Sequence, residues 1–168
     1  MSSETFATAI FLITAVVAAA ILVNAFFPVI YSATSTFTQS SQSADERLRT
    51  DIKIINAFSP TDGSATKIWI KNVGSIRIAD TEIEASDIFF GQPGNFDVLV
   101  YTSGTPSAGE WTFTIREDEA IGYWNTAETL QLEMKPVATS PLPASGGEVY
   151  FQFVLPTGIA VSTTYSAI

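Results

Sequence analysis

The sequence predicts an α+β protein in which a long N-terminal apolar helix precedes an antiparallel β-sandwich of Ig-like architecture. Two observations predict this fold. The segment 6–31, FATAIFLITAVVAAAILVNAFFPVIY, contains 26 residues and no charge, more than the ~20 apolar residues that a helix needs to cross a bilayer. From Asp51 onward, apolar residues alternate with polar ones, as in half-buried strands. We therefore expect a helix and stalk over residues 1–50 and a sandwich head over residues 51–168.

The apolar segment is interpreted as a retained helix rather than a cleaved secretory signal. A signal has a positive n-region and an apolar stretch of roughly 7–15 residues, whereas Met1-Ser2-Ser3-Glu4 carries no Lys or Arg. Small residues let helix backbones approach closely, so the helix suits lipid, a bundle of its own copies, or each at different times. The candidate packing positions are Phe6, Ile10, Ile13, Ala15, Val17, Ala19, Ile21, Phe26 and Pro28.

The helical pattern continues beyond Tyr31, although the composition becomes rich in Ser and Thr. Apolar residues still recur at steps of three, four and seven, which predicts a stalk helix to about Thr50 with one narrow apolar stripe. Such a stripe suits contact with a neighbouring helix. Pro28 is expected either as a tolerated kink or as a bend needed for packing. The stripe comprises Ile30, Ala33, Phe37, Ala44 and Leu48.

Seven to nine short strands are expected in the head, separated by turns rich in Gly, Pro, Ser and Asp. This spacing, with no second helical pattern, indicates an antiparallel sandwich. The chain has no cysteine, so the Ig Cys…Trp…Cys signature is absent and "Ig-like" describes the architecture alone. The clearest alternating positions are Ile52 and Ile54, Ile68 and Ile70, Trp111 to Ile115, Leu130 to Met134, Val149 to Leu155, and Ile159 with Val161.

Composition excludes several classes of function. The formal net charge is −9, and an acidic head repels nucleic acid and anionic lipid headgroups. The chain has no histidine and no cysteine, which removes the commonest general base and the commonest metal ligands. We therefore predict no catalytic residue, no cofactor and no nucleic-acid partner.

Acidic residues provide the only candidate metal ligands. Asp80, Glu82 and Glu84 would share one face if residues 80–84 formed a strand, with Asp87 nearby, and hard cations such as calcium take several oxygen ligands. The spacing matches no calcium loop, and a solvated strand face explains it equally well. The run 117–119 is expected to be an exposed turn.

Trp69 is a candidate for a contact surface on the head. It alternates onto the same face as Lys67 and Lys71, opposite Ile68 and Ile70. An outward tryptophan can anchor an interface, and it can equally cover part of a second sheet. The sequence leaves both interpretations open.

A family resemblance covers most of the chain. The N-terminal run MSSETFATAIFLITAVVAAAILVNAFFPVIY, then ADERLRTDIKI and IWIKNVGSIRI, resembles archaellum proteins of the FlaG/FlaF type, which are related to archaellins and type IV pilins. The later segments DIFFG, GEWTF and VYFQFVLPTGI are also similar. The resemblance implies a head outside the membrane and a structural role in the motility filament or its anchor. It also implies that Glu4 matches the acidic residue that helps to register pilin-like subunits.

The sequence departs from the major archaellins in one respect. No basic leader for a prepilin peptidase precedes the apolar run, and a retained Met1 argues against processing, which favours an accessory subunit or anchor. The positive-inside rule, applied to Arg47, Arg49 and Lys53, would place the head inside. Asp45 and neighbouring acids weaken that bias, so we follow the resemblance and expect an extracytoplasmic head.

The leading hypothesis is a non-enzymatic structural protein of the archaellum. Its expected partners are copies of itself or other archaellum subunits, the membrane through its helix, and the cell envelope or surface layer. Two alternatives stay open: the main filament subunit, and a membrane-anchored module that binds the envelope. An anchored hydrolase built on clustered carboxylates is a remote third class.

Overall fold

A computed structural model describes residues 2–62, 64–116, 122–137 and 142–168. The chain forms two compact units, of which the first ends at Ala44 and the second is Asp45–Ile168. The elements are α1 (Ser2–Arg49), β1 (Ile52–Phe58), β2 (Thr66–Asn72), β3 (Ile78–Ala79), α2 (Asp80–Glu84), β4 (Asp87–Gln92), β5 (Asn95–Tyr101), β6 (Glu110–Arg116), β7 (Tyr123–Trp124), β8 (Thr129–Met134), β9 (Glu148–Val154) and β10 (Ala160–Ser166).

The predicted fold class, a long apolar helix followed by an antiparallel sandwich, is confirmed. Eight strands are ordered β1-β2-β8-β6-β5-β4-β9-β10, and β3 pairs separately with β7. The sheet folds over so that β1-β2-β8-β6 faces β5-β4-β9-β10 across the core. The alternating positions of the sequence point into that core, including the fully buried Ile68, Trp111, Leu132 and Phe151.

One pair of strands departs from the predicted antiparallel arrangement. β5 runs parallel to β6, with only Val100 opposite Glu110 and Tyr101 opposite Trp111. The intervening segment, expected as a turn, instead carries the chain from one layer of the sandwich to the other. A chain that changes layers at a corner keeps its direction, whereas a tight hairpin reverses it.

Side chains and backbone join the two end strands, β1 and β10. The Tyr165 hydroxyl lies 2.7 Å from Ser59 Oγ, which lies 2.9 Å from Thr66 Oγ1. Ile168 N donates to Ser59 O, and Thr61 N donates to Ile168 O. The sandwich is therefore nearly closed, which protects both sheet edges from pairing with another chain.

Tyr165 predicts a loss of stability at high pH. Burial raises the pKa of Tyr165 from 10.0 to about 12, while the hydrogen bond with Ser59 lowers it. An unfolded chain therefore loses this proton before the folded chain does, so its contribution to stability is full below about pH 10 and decreases between about pH 10 and 12. Denaturant unfolding of the full chain in detergent, followed by tryptophan fluorescence at pH 8 and pH 11, measures this change.

The Tyr165→Phe variant is the matched control. We expect it to lose about 0.5–1.5 kcal/mol at pH 8, because one hydrogen bond is removed, and to show a smaller further loss at pH 11 than the parent chain. An equal loss in both proteins between pH 8 and 11 would contradict the assignment to Tyr165.

Candidate functional site

The surface of α1 is the largest candidate functional surface of the protein. Every predicted apolar packing position is exposed, from Ile10, with 50% of its surface accessible, to Phe6, with 69%. Ala15 and Ala19 are also exposed. By length and composition, Ser3–Arg49 can cross a membrane. Glu4 lies in the first turn, where a negative charge favourably complements the helix dipole. The remaining predicted packing positions, Ile13, Val17, Ile21 and Phe26, are also exposed.

Small residues create a groove on this surface that suits helix packing. Ala15 and Ala18 form the floor of a shallow groove whose other lining residues are Ile10, Phe11 and Thr14. A groove floored by alanine admits a ridge of side chains from a neighbouring helix at short interaxial distance. The groove is a surface on which Ala15 can pack, and packing of Ala15 against another helix stays a prediction.

Several threonine hydroxyl groups of α1 donate hydrogen bonds within the helix. Thr14 Oγ1 donates to Ile10 O at 2.8 Å, Thr34 Oγ1 to Ile30 O at 2.9 Å, and Thr38 Oγ1 to Thr34 O at 3.0 Å. A hydroxyl that already donates to a carbonyl of its own helix loses little when water is removed. At these threonines the helix can therefore pack against another helix despite its polar composition.

Pro28 does not end the helix. α1 continues through it from Ser2 to Arg49, and the rings of Phe27 and Tyr31 stack across it with centroids 6.1 Å apart. Proline has no N–H, so one hydrogen bond of the helical ladder is lost at this turn. The helix thus accommodates Pro28, and the expected kink and its role in packing stay predictions.

The last turn of α1 is held by the head in a helix-end clamp, which consists of Arg49, Asp51, Val73, Gly74 and Ser75. Arg49 O accepts a hydrogen bond from Ser75 N at 2.8 Å, and Asp51 O accepts from Val73 N at 2.9 Å and Gly74 N at 2.8 Å. Helix ends leave carbonyl groups without intrahelical donors, and the clamp supplies donors where the chain leaves the helix. Sequence reasoning missed this feature.

Gly74 is required in the clamp because the backbone approaches it too closely for a side chain. A Cβ at this position would lie 2.5 Å from Arg49 O and 2.6 Å from Asp51 N. Both are backbone atoms, so the clamp itself would have to move. The only sequence signal for this contact is the Asn72-Val73-Gly74 turn, in which Asn72 Oδ1 accepts from Gly74 N at 3.1 Å.

The predicted face of acidic residues does not form. Residues 80–84 are the short helix α2 rather than a strand, so Asp80, Glu82 and Glu84 do not alternate onto one face. The sequence D-x-E-x-E fits either structure, and acids in the first turn together with the buried Ile83 favour the helix.

The carboxylates of this region serve local structure. Glu82 Oε2 accepts from Ala79 N at 3.3 Å, and Glu84 Oε1 accepts from the Tyr101 hydroxyl at 3.2 Å. Asp87 is exposed at the start of β4. Among the described residues, no group of three or more Asp or Glu is arranged to hold a metal ion. The predicted turn at 117–119 lies outside the described residues.

Trp69 lies on the outer face of the sheet, half-buried. Its Nε1 donates to Gln131 Oε1 at 3.2 Å, and the same oxygen accepts from Arg116 Nε at 3.0 Å. Since Ile68 and Ile70 fill the core side of β2, Trp69 does not cover the second sheet. Its indole is held by its own sheet, and a contact with another subunit stays a prediction.

A second outer surface, which sequence reasoning missed, lies on β4, β5 and β9. We call it the aromatic–valine face and define it as Phe89, Phe96, Val98, Val100 and Tyr150. Val98 is 53% and Val100 is 67% exposed. The Phe96 ring lies 6.1 Å from that of Phe89 and 5.2 Å from that of Tyr150, centroid to centroid. The head therefore presents an apolar outer face among its described residues.

Comparisons with known proteins give one family for the chain and a similar fold in solved structures. A family model described as archaeal-type flagellin matches residues 2–165. An uncharacterized protein of Archaeoglobus fulgidus is 31% identical over 170 residues, which are 99% of each chain. The archaellum periplasmic stator protein FlaG of Sulfolobus acidocaldarius is similar in structure, with a TM-score of 0.55 and 24% identity over 69% of this chain and 99% of that one. The archaeal flagellum of Methanospirillum hungatei gives a TM-score of 0.70 and 14% identity over 95% and 91%.

The helix-end clamp predicts the effect of adding one methyl group. Gly74→Ala should destabilise the head by about 1–3 kcal/mol, as overpacking against fixed atoms does. Gly104→Ala is the control, because nothing lies within 4 Å of its Cβ position, and it should be neutral or slightly stabilising. Urea unfolding of the full chain in detergent, followed by tryptophan fluorescence, measures both. Equal stabilities of the two variants would show that the clamp accommodates a side chain.

Proposed function

Because the chain belongs to the archaeal-type flagellin family and is a structural component of the archaellum, we propose that it assembles through α1 with copies of itself or other archaellum subunits. The observation that carries this proposal is the helix surface. Residues 5–44 contain no charged side chain, and their large apolar side chains are at least half exposed, with few exceptions. Such a surface requires lipid or neighbouring helices to cover it.

We assign the chain a non-enzymatic, accessory or anchoring role, with the main filament subunit as the alternative. Its apolar run is long enough to stay in a bilayer, and there the lipid and a few neighbours suffice to cover it. A main filament subunit must instead leave the membrane and have every face of the run covered by other copies. The anchor thus requires fewer partners, and the groove at Ala15 supplies one packing surface for them.

The assembly proposal predicts the effect of filling the alanine groove. Ala15→Leu together with Ala18→Leu, the two alanines of the groove floor, should reduce helix association at least tenfold, since bulk at a close-packed site costs more than about 1.4 kcal/mol. Val16→Leu together with Val23→Leu is the matched control, because it adds bulk where large side chains already lie. Crosslinking of membranes and electron microscopy of assemblies measure association, while urea unfolding checks the head. Normal assembly of the alanine variant would contradict close packing at this groove.

The accessory role predicts where the chain is found. Filaments sheared from producing cells should contain it in traces or not at all, and the remaining cell envelope should retain it. Negative-stain electron microscopy with mass spectrometry of the subunits measures both fractions. If the chain is the main subunit of sheared filaments, the alternative role is correct.

An extracytoplasmic head is the remaining part of the proposal. The chain contains no cysteine, so a single Thr114→Cys on the exposed outer side of β6 reports its location. A membrane-impermeant maleimide should label this variant in intact cells. Labelling only after lysis would place the head in the cytoplasm.

A further inference from the structure

The two outer faces of the sandwich differ in charge. The face of β1, β2, β8 and β6 carries Lys53, Lys67, Lys71, Arg116 and Glu133, with Lys67 Nζ 3.9 Å from Glu133 Oε2. The outward positions at the centre of β5, β4 and β9 are apolar or uncharged, and Asp87 and Glu148 lie at their margin. The uncharged centre is unusual in a unit with sixteen Asp and Glu against eight Lys and Arg, a formal charge of −8 over residues 45–168.

The aromatic–valine face is supported from beneath. Gly91 lies against Phe96, and a Cβ on Gly91 would come within 2.7 Å of both Asn95 O and Phe96 Cα. Its φ of 153° also disfavours other residues. Phe96 therefore lies over a glycine between Phe89 and Tyr150, an arrangement in which an aromatic ring compensates for the missing side chain of a strand glycine.

Removing water from this face costs little. The Tyr150 hydroxyl donates to Gln152 Oε1 at 2.9 Å, so its proton already has an acceptor on the same strand. The exposed parts of Phe96, Val98 and Val100 are hydrocarbon. Desolvation is costly mainly for polar groups that lose their partners, and this face exposes few of them.

The size of the face indicates what kind of occupant it can hold. Stable complexes of free partners bury about 800 Å² on each side, and five side chains, two of them half-buried, provide only a part of that. A small apolar contact is nevertheless effective between domains that are already tethered together, because the tether raises their effective concentration. The face therefore suits a domain that α1 brings close, and a second copy of this chain is such a domain.

The distribution of charge on the head also favours a second copy of this chain as the occupant. Two heads of equal negative charge repel within the Debye length of about 8 Å at physiological ionic strength, and this repulsion is smallest where acidic side chains are absent from the contact. The uncharged aromatic–valine face meets that condition when both copies use it. A basic partner would gain more from the acidic margins of the head than from this face.

We propose that the aromatic–valine faces of two copies pair with each other, in an isologous contact, once their α1 helices have associated. The proposal rests on the proposed function, because the helices supply the proximity. In such a contact the same patch serves both subunits, and Val98 of one copy lies near Val98 of the other. The pairing joins heads that would otherwise be connected only through their helices.

The experiment uses the full chain in native membranes. Val98→Cys gives a single thiol at the centre of the face, and Thr114→Cys gives a matched thiol on the opposite outer face. A short bis-maleimide should convert the Val98→Cys chain into a covalent homodimer with a yield several-fold above that of Thr114→Cys. Adding Val100→Lys to the Val98→Cys chain should bring the yield down to that of the control, and urea unfolding checks that each variant is folded.

Each other outcome overturns the proposal and shows which of its assumptions is wrong. Equal crosslinking of the two thiols means that the heads meet without using this face. A crosslink from Val98→Cys to a different protein means that another partner occupies the face. If crosslinkers placed in α1 report associated helices while Val98→Cys stays monomeric, the face is wrong and the proposed assembly stands. If α1 itself stays monomeric, the proposed assembly fails first.

Discussion

An uncharged helix that is exposed along its length is the constraint on which the rest of this protein depends. From Thr5 to Ala44 the chain has no Asp, Glu, Lys or Arg. At roughly 25 cal/mol per Å² of apolar surface, and with 150–250 Å² for each aromatic side chain that is buried, covering Phe6, Phe11 and Phe26 alone contributes several kcal/mol. The isolated chain is therefore incomplete, and its folded head does not remove this requirement. The internal hydrogen bonds of Thr14 and Thr34 extend the surface that can be covered beyond the apolar run.

The head differs from α1, because its own interior must stabilise it while its outer faces remain exposed. The buried side-chain amide of Asn72 is an example of how the interior is stabilised. Its Nδ2 donates to Ile76 O at 2.9 Å and to Trp124 O at 3.2 Å. The backbone of the same residue pairs with Glu128 and Ala127. A buried polar group with all its partners fixes one arrangement of the chain around it. Asn72 thereby holds the turn that carries Gly74 to the end of α1.

The sequence predicts those parts of the structure in which polar and apolar residues follow one simple pattern. Alternation identified β2 and β9 because one side of each strand is polar, and the charge-free run identified α1. Alternation fails on β5, where Asn95–Tyr101 is apolar on both sides: Leu99 lies in the core and Val98 on the surface. For this reason the aromatic–valine face was not predicted. The strand considered for residues 80–84 does not form, and the sequence could not exclude it because the acidic residues fit a strand and a helix equally well.

The other features that the sequence did not predict depend on contacts between segments far apart in the chain. The helix-end clamp joins residues 49–51 to residues 73–75, and no local pattern at either end indicates the other. The parallel pairing of β5 with β6 likewise depends on where the chain crosses between layers. Trp69 was placed correctly on the outer side by alternation, but its bond to Gln131 required knowledge of the register between β2 and β8, in which these two residues are opposite each other.

The symmetry of the head contact connects the two proposals made for this protein. A filament that grows by repeating one operation is built from heterologous contacts, in which each subunit offers two different patches to its neighbours. The aromatic–valine face is a single patch of similar side chains, and the isologous pairing proposed for it would close after two copies. A closed pair cannot extend the assembly through this contact, whereas it can hold two membrane-anchored heads together. The proposed pairing of the heads is therefore consistent with the proposed accessory or anchoring role, and it would not serve the repeating unit of the filament.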